Sequence, residues 1–192
     1  MLTLTRINKI RLLVAGKHPW IDKMLDHRES LIKKYMTLID LRVRGVEDCP
    51  PSYTKVEDFC GELMDYLSSG HFDIYPRIVT VMENATGRRL AIAQRIIPRI
   101  RHNTDLILSF DDKYGEELNE AKMKDLREDL NRLGPILDTR FTLEDRLMAI
   151  LQCIDDLIKD SARQTVSRPK DLGGKPLGKD DQAKAEPDGN AG

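Results

Sequence analysis

The sequence predicts an all-α fold: four main helices packed antiparallel in a bundle, with a short N-terminal helix in front and a disordered C-terminal tail. Three observations predict it. Apolar residues recur at three- and four-residue spacing almost throughout, strand signals are nearly absent, and the breaks fall at Gly/Pro clusters. A chain of 192 residues, 40% hydrophobic and 33% charged, suffices for one domain with a real core.

The elements follow in order. Residues 3–14 form a short amphipathic segment. Pro19 suits a first helical turn, and Trp20, Met24, Leu31, Tyr35 and Leu38, with Ile21, Leu25, Ile32, Met36 and Ile39 beside them, make a broad apolar stripe along residues 19–41. "RVRGVEDCPPSY" breaks the pattern with Gly45, Pro50 and Pro51. Thr54 and Glu57 have capping-box spacing ahead of a second long helix whose apolar face carries Val56, Phe59, Cys60, Leu63, Met64 and Leu67. After "ENATG" a third helix runs from about Arg88 to Asp112, and a fourth from about Asn119 to Ile158, interrupted at Gly134 and Pro135. From Ser161 to Gly192 the chain holds five of its twelve glycines, three of its nine prolines and no aromatic residue. Such a segment buries too little apolar surface to offset its ordering entropy, so the folded domain is expected to span residues 1–160 and the polar tail residues 161–192.

Composition excludes several classes of function. The net charge of −1 gives no pull toward nucleic acid or anionic lipid. Cys49, Cys60 and Cys153 are an odd number and form no C-x-x-C pair, against a disulfide scaffold or zinc module. A cytoplasmic location is expected. The N-terminus lacks the charged-then-apolar order of a signal peptide, and no apolar run reaches the length of a membrane span.

The stretch "DYLSSGHFDIYPR", residues 65–77, is poor helix material in the middle of a helical segment. Asp65, Ser68, His71, Phe72 and Tyr75 lie three or four residues apart and so share one side of a helix. Pro76 offers no N–H to the carbonyl of Phe72, so a bend is expected there. On chemistry alone a structural role for this stripe is the stronger reading.

"VEDFCGELMDYLSSGHFDIYPRI", "RRLAIAQRIIPRIRHNTDLILSFDD" and "LDTRFTLEDRLMAIL", in that order, resemble the bacterial Rsd/AlgQ family, regulators of sigma D that act as anti-sigma factors. "WIDKMLDHRESLIKKY" is more loosely similar, and together these regions cover roughly residues 19–151. The resemblance implies a helical protein that binds the helical region 4 of the housekeeping sigma factor, which carries a basic helix-turn-helix. It would occlude that region's promoter and core RNA polymerase contacts without covalent chemistry, and would be a monomer when bound to sigma. The matched acidic, serine and aromatic positions of the sigma-binding face are Asp65, Ser68 and Phe72: a carboxylate for an arginine, a small residue for close approach and an aromatic anchor. Pro76 and Pro135 depart from the family's pattern, which has helix formers there.

Arg140, Glu144 and Asp145 in "RFTLEDRL" are expected to pair across the bundle with His71 or Asp65, and with Tyr75 to form a polar cluster that fixes helix register. A metal site finds little support. Four histidines are fewer than a hemerythrin-type site draws on, and no paired E-x-x-H motif is present. Neither is there a P-loop, G-x-S-x-G, H-E-x-x-H or dinucleotide glycine pattern. Cys60 and His71 stand about three helical turns apart, too far for a thiolate pair. The sequence thus supports a non-enzymatic, cofactor-free binding module; a helical bundle that senses a small ligand or metal through its polar interior is the alternative.

Overall fold

The computed structural model of the chain describes residues 4–14, 16–40, 51–83 and 88–166. Among these residues it is all-α, as expected. The elements are α1 (Leu4–Val14), α2 (Pro19–Asp40), α3 (Tyr53–Ser69), a π-helical turn (Gly70–Ile74), α4 (Tyr75–Glu83), α5 (Arg88–Tyr114) and α6 (Glu120–Val166). Helix α5 packs on α6 and α2 on α3; α1 bridges α2 and α6, and α4 rests on both α5 and α6.

Local chemistry explains three of the helix ends. Gly16 adopts φ +69°, a left-handed conformation that closes α1 and turns the chain into α2. The His18 carbonyl accepts from Ile21 N at 2.8 Å, with Pro19 as the first helical residue. Asn119 caps α6, its Oδ1 accepting from Lys122 N at 2.9 Å. The capping box expected at Thr54 and Glu57 is not formed. The N-cap is Ser52, without a side-chain cap bond, and the helix has already begun at Tyr53.

Two breaks take a different form from the one expected. Helix α6 does not stop at Gly134 and Pro135 but runs through them for 47 residues. Gly134 makes room for Tyr35, whose phenol donates to the Leu130 carbonyl at 3.0 Å; a Cβ at 134 would collide with that hydroxyl. This cross-helix bond lands one residue before the Asn131 carbonyl, the one to which Pro135 offers no N–H. Helix α6 also continues past Ser161 to Val166, so the tail as first delimited begins with a helical turn; residues 167–192 lie outside the described ones. So do Gly45, Cys49 and Pro50, and residues 84–87 of "ENATG".

The bend expected at Pro76 appears as one wide turn just before it. Tyr75 N donates to the carbonyl of Gly70, five residues back, rather than four. An extra residue in the turn rotates everything after it. Phe72 and Tyr75, which share a face in an unbroken α-helix, are thereby separated: Phe72 is 78% exposed and Tyr75 is buried.

One contiguous core fills the bundle. Leu25, Leu31, Phe59, Leu63, Leu126, Leu137, Leu147 and Leu151 are among its most enclosed members. Its centre is not apolar throughout, and that is where the site residues diverge.

Candidate interaction face and buried polar centre

The stripe from residue 65 to residue 75 divides into an outer and an inner set. Asp65, Ser68, His71 and Phe72 are exposed. They continue an exposed ridge of α3 that begins with Asp58 and Gly61, each three or four residues from the next. The Phe72 ring stands edge-on to His71, 4.8 Å between centroids, and otherwise projects into solvent. Glu57, Asp58 and Asp65 enter no ion pair among the described residues, though Lys34 Nζ donates to the Asp58 carbonyl at 3.1 Å, so the ridge is acidic with one lysine at its start. A Cβ built on Gly61 meets nothing within 4 Å. No packing among the described residues therefore requires glycine there, although glycine in a helix interior costs about 1 kcal/mol relative to alanine.

Tyr75 turns inward and joins Arg140, Glu144 and Asp145 in the middle of the bundle. Glu144 is the hub. Its Oε1 accepts from Tyr75 Oη at 2.5 Å and from Arg140 Nε at 3.0 Å; its Oε2 accepts from Arg28 Nη2 at 2.8 Å and from Tyr66 Oη. Arg28 Nη1 donates to Asp145 Oδ1 at 2.5 Å, and Arg6 Nε to Asp145 Oδ2 at 2.5 Å. Arg140 reaches further, to Tyr75 Oη at 2.9 Å and Thr104 Oγ1 at 2.8 Å. Arg28 also lies over the Phe141 ring, 4.8 Å from its centroid.

The electrostatics are self-consistent. Burial alone disfavours the Arg28 cation, but Tyr66, Glu144 and Asp145 outweigh it and raise its pKa. Arg140 is raised in the same sense: burial opposes its charge, and Tyr75 and Glu144 favour it. Burial, reinforced by the Glu144 charge, pushes the Tyr66 and Tyr75 phenols well above their ordinary range, which keeps them as neutral donors to that carboxylate. Two arginines thus face two carboxylates with every Glu144 lone-pair direction engaged. Asp145 accepts once at each oxygen, and Arg28 Nε is buried without a partner among the described residues; the network as a whole ties α1, α2, α3, α4 and α5 to α6.

His71 and Asp65 do not belong to this centre, contrary to the expected pairing. The π-turn holds His71 on the outside, and Asp65 lies on the exposed ridge one residue from the inward-facing Tyr66. Arg28, Tyr66, Arg6 and Thr104 take part instead, and the sequence reading passed over them. For two of them the signal was present. Arg28 falls between Met24/Leu25 and Leu31/Ile32 on the apolar stripe of α2, and Tyr66 lies three residues after Leu63. A charged or hydroxyl-bearing residue at a core position implies a partner in the core. Arg6 and Thr104 carry no such mark. Cys60 is a buried core thiol, pushed up to about 12 by burial, with Asp111 and Glu57 adding to the effect. Among the described residues no group of three or more His, Cys, Asp or Glu is placed to hold a metal ion, and no helix is long and apolar enough to cross a membrane.

Comparison with known proteins covers nearly all of this architecture. The protein family described as "Regulator of RNA polymerase sigma(70) subunit, Rsd/AlgQ" matches residues 3–152, from α1 through the polar centre and most of α6. The chain is 34% identical over 146 residues to the "Regulator of sigma D" of Yersinia enterocolitica, an alignment that spans 76% of this chain and 87% of that protein. It is 35% identical over 146 residues to the protein of the same name from Yersinia pseudotuberculosis, covering 76% and 86%. With the "Regulator of sigma D" of Enterobacter sp. it is 33% identical over 172 residues, 86% of this chain and 99% of the relative. On the match across residues 3–152 and on these relatives, the chain belongs to the Rsd/AlgQ family of regulators of the RNA polymerase sigma(70) subunit.

Proposed function

We propose that the chain regulates transcription as an anti-sigma factor: it binds region 4 of the housekeeping sigma factor along the exposed ridge of α3 and so occludes that region's promoter and core RNA polymerase contacts. The observation that carries this reading is the exposure of Phe72 beside Asp65 and Ser68, an aromatic anchor without a pocket of its own on an acidic ridge. Region 4 carries a basic helix-turn-helix, the complement of such a surface. In this arrangement Phe72 enters an apolar pocket on sigma and Asp65 pairs with an arginine or lysine. Ser68 and Gly61 allow a partner helix to approach closely. The action is occlusion in the cytoplasm, with no covalent step and no direct contact to DNA, and the bound form contains one copy of the chain.

Isothermal titration of the full chain into isolated region 4 tests the proposal. Saturable one-to-one binding is expected, and Phe72→Ala weakens it about thirtyfold, the effect of losing a hot-spot anchor worth about 2 kcal/mol. Normal binding by both Phe72→Ala and Asp65→Ala overturns the assignment of the face. Absence of binding at low salt overturns the partner.

A further inference from the structure

A cavity of about 460 Å³ opens between α5 and α6, remote in sequence from the α3 ridge. Both walls carry a proline, Pro98 on α5 and Pro135 on α6, and Leu106, Ile136 and Leu143 complete an apolar surface. Two polar side chains stand at its edge. Arg99 and His102 line the cavity, are exposed, and make no ion pair or hydrogen bond among the described residues. A third polar side chain lies deeper. Asn103, 5% exposed, donates from Nδ2 to the Ile136 carbonyl at 2.9 Å, while its buried Oδ1 has no partner among the described residues. A buried acceptor in this state carries a desolvation cost that a hydrogen-bond donor would relieve.

We propose that this groove binds a small amphipathic anion. Arg99 and a ring N–H of His102 hold the anionic head. The apolar body lies over Leu106, Ile136 and Leu143, and an N–H or O–H on that body donates to Asn103 Oδ1. The volume falls in the range of small-molecule sites, roughly 300–1,000 Å³. The head is a carboxylate, sulfonate or phosphate, since all three offer the guanidinium the same acceptors. Binding at this place touches the polar centre: Ile136 lies one turn before Arg140, and Asn103 is next to Thr104, which accepts from Arg140 Nη1. An occupied groove therefore braces the α5–α6 contact on which Arg140 depends.

The probe is 8-anilinonaphthalene-1-sulfonate, which combines an anion, an aromatic body and one N–H, titrated by fluorescence into the full-length folded chain. Saturable one-site binding is expected, displaced by decanoate or 2-naphthoate but not by decanol or inorganic phosphate; the stronger competitor identifies the body as alkyl or aromatic. Arg99→Glu weakens the probe about tenfold or more, the scale of one charge-assisted hydrogen bond. Thr139→Trp, which fills the groove, abolishes binding, and Arg101→Glu, on an exposed arginine that does not line the groove, leaves it unchanged. Thermal melts accompany each variant, and Arg99→Glu, an exposed site, decides the matter if Thr139→Trp folds poorly. The proposal is overturned if the folded chain does not bind the probe, if decanol competes as well as decanoate, or if Arg101→Glu weakens binding as much as Arg99→Glu.

Discussion

Glu144 accepts from four donors on four different residues, and this saturation decides what its removal does. Glu144→Ala leaves Arg28 and Arg140 buried with one carboxylate, Asp145, and the hydroxyls of Thr104 and Tyr75 to answer them, so about 3–5 kcal/mol of stability should be lost, read as a fall in the urea midpoint. Arg28→Met should cost less, because it removes a charge instead of stranding one and Arg140 still serves Glu144. The tyrosines make a separate, alkaline prediction. The folded pKa values of Tyr66 and Tyr75 are raised above the unfolded value of about 10. Their contribution is therefore fully present below about pH 10 and is lost as the pH rises toward the folded values. Above that point only the unfolded chain releases these protons, and stability should fall by about 1.4 kcal/mol per pH unit for each tyrosine. Urea titrations from pH 9 to pH 11 should show this slope, and Tyr66→Phe should reduce it by one tyrosine's share.

Three glycines act at the scale of whole elements, each for a different reason. Gly70 lies at the start of the π-turn, where a Cβ would stand 2.9 Å from Tyr75 Oη, the hydroxyl that donates to Glu144. Gly70→Ala should be destabilising by about 1–3 kcal/mol, an overpacking cost. Adding Tyr75→Phe, which removes the obstructing oxygen, should recover part of that loss, so the pair will not be additive in chemical denaturation. At Gly134 the obstruction is Tyr35 Oη, and the same logic pairs Gly134→Ala with Tyr35→Phe. Gly61 is the opposite case, a helical glycine open to solvent. Gly61→Ala should raise stability by about 0.5–1 kcal/mol through helix propensity and a less flexible unfolded chain, while weakening the titration into region 4. If the variant gains stability with unaltered sigma affinity, close approach at residue 61 is wrong. These elements also show where sequence was informative. The helical period located α1, α2, α3, α5 and α6, because a stripe such as Ile21-Met24-Leu25-Leu31-Ile32 has one reading, but it did not separate α4 from α3. The π-turn was not legible, since a one-residue insertion leaves composition unchanged and only moves which later side chains face inward. Placing Tyr75 beside Phe72 followed from assuming an unbroken helix, and the unmade capping box followed from spacing without the start of the helix.

At the scale of the molecule, two kinds of polar residue have been sorted to opposite places, and sequence spacing alone could not tell them apart. Asp65 and Glu144 are both acids in helices rich in apolar neighbours. One makes no ion pair among the described residues, and the other meets two arginines from different helices, a fact of tertiary packing. The sorting gives the exposed ridge and the polar centre different signatures in a ligand-linked unfolding experiment. Region 4 in hundredfold excess over its Kd should stabilise the wild-type chain by about 2.7 kcal/mol, because it binds only the folded form. Phe72→Ala should leave the melting temperature of the free chain nearly unchanged, since its ring buries little, yet lose most of the sigma-dependent increase at the same concentration. Tyr66→Phe should lower the melting temperature of the free chain and retain the increase, since its hydroxyl serves Glu144 and never meets the partner. Differential scanning calorimetry of the two variants with and without region 4 separates these outcomes. If Phe72→Ala instead melts early and keeps the full increase, the ring belongs to the fold and the binding face lies elsewhere on the bundle.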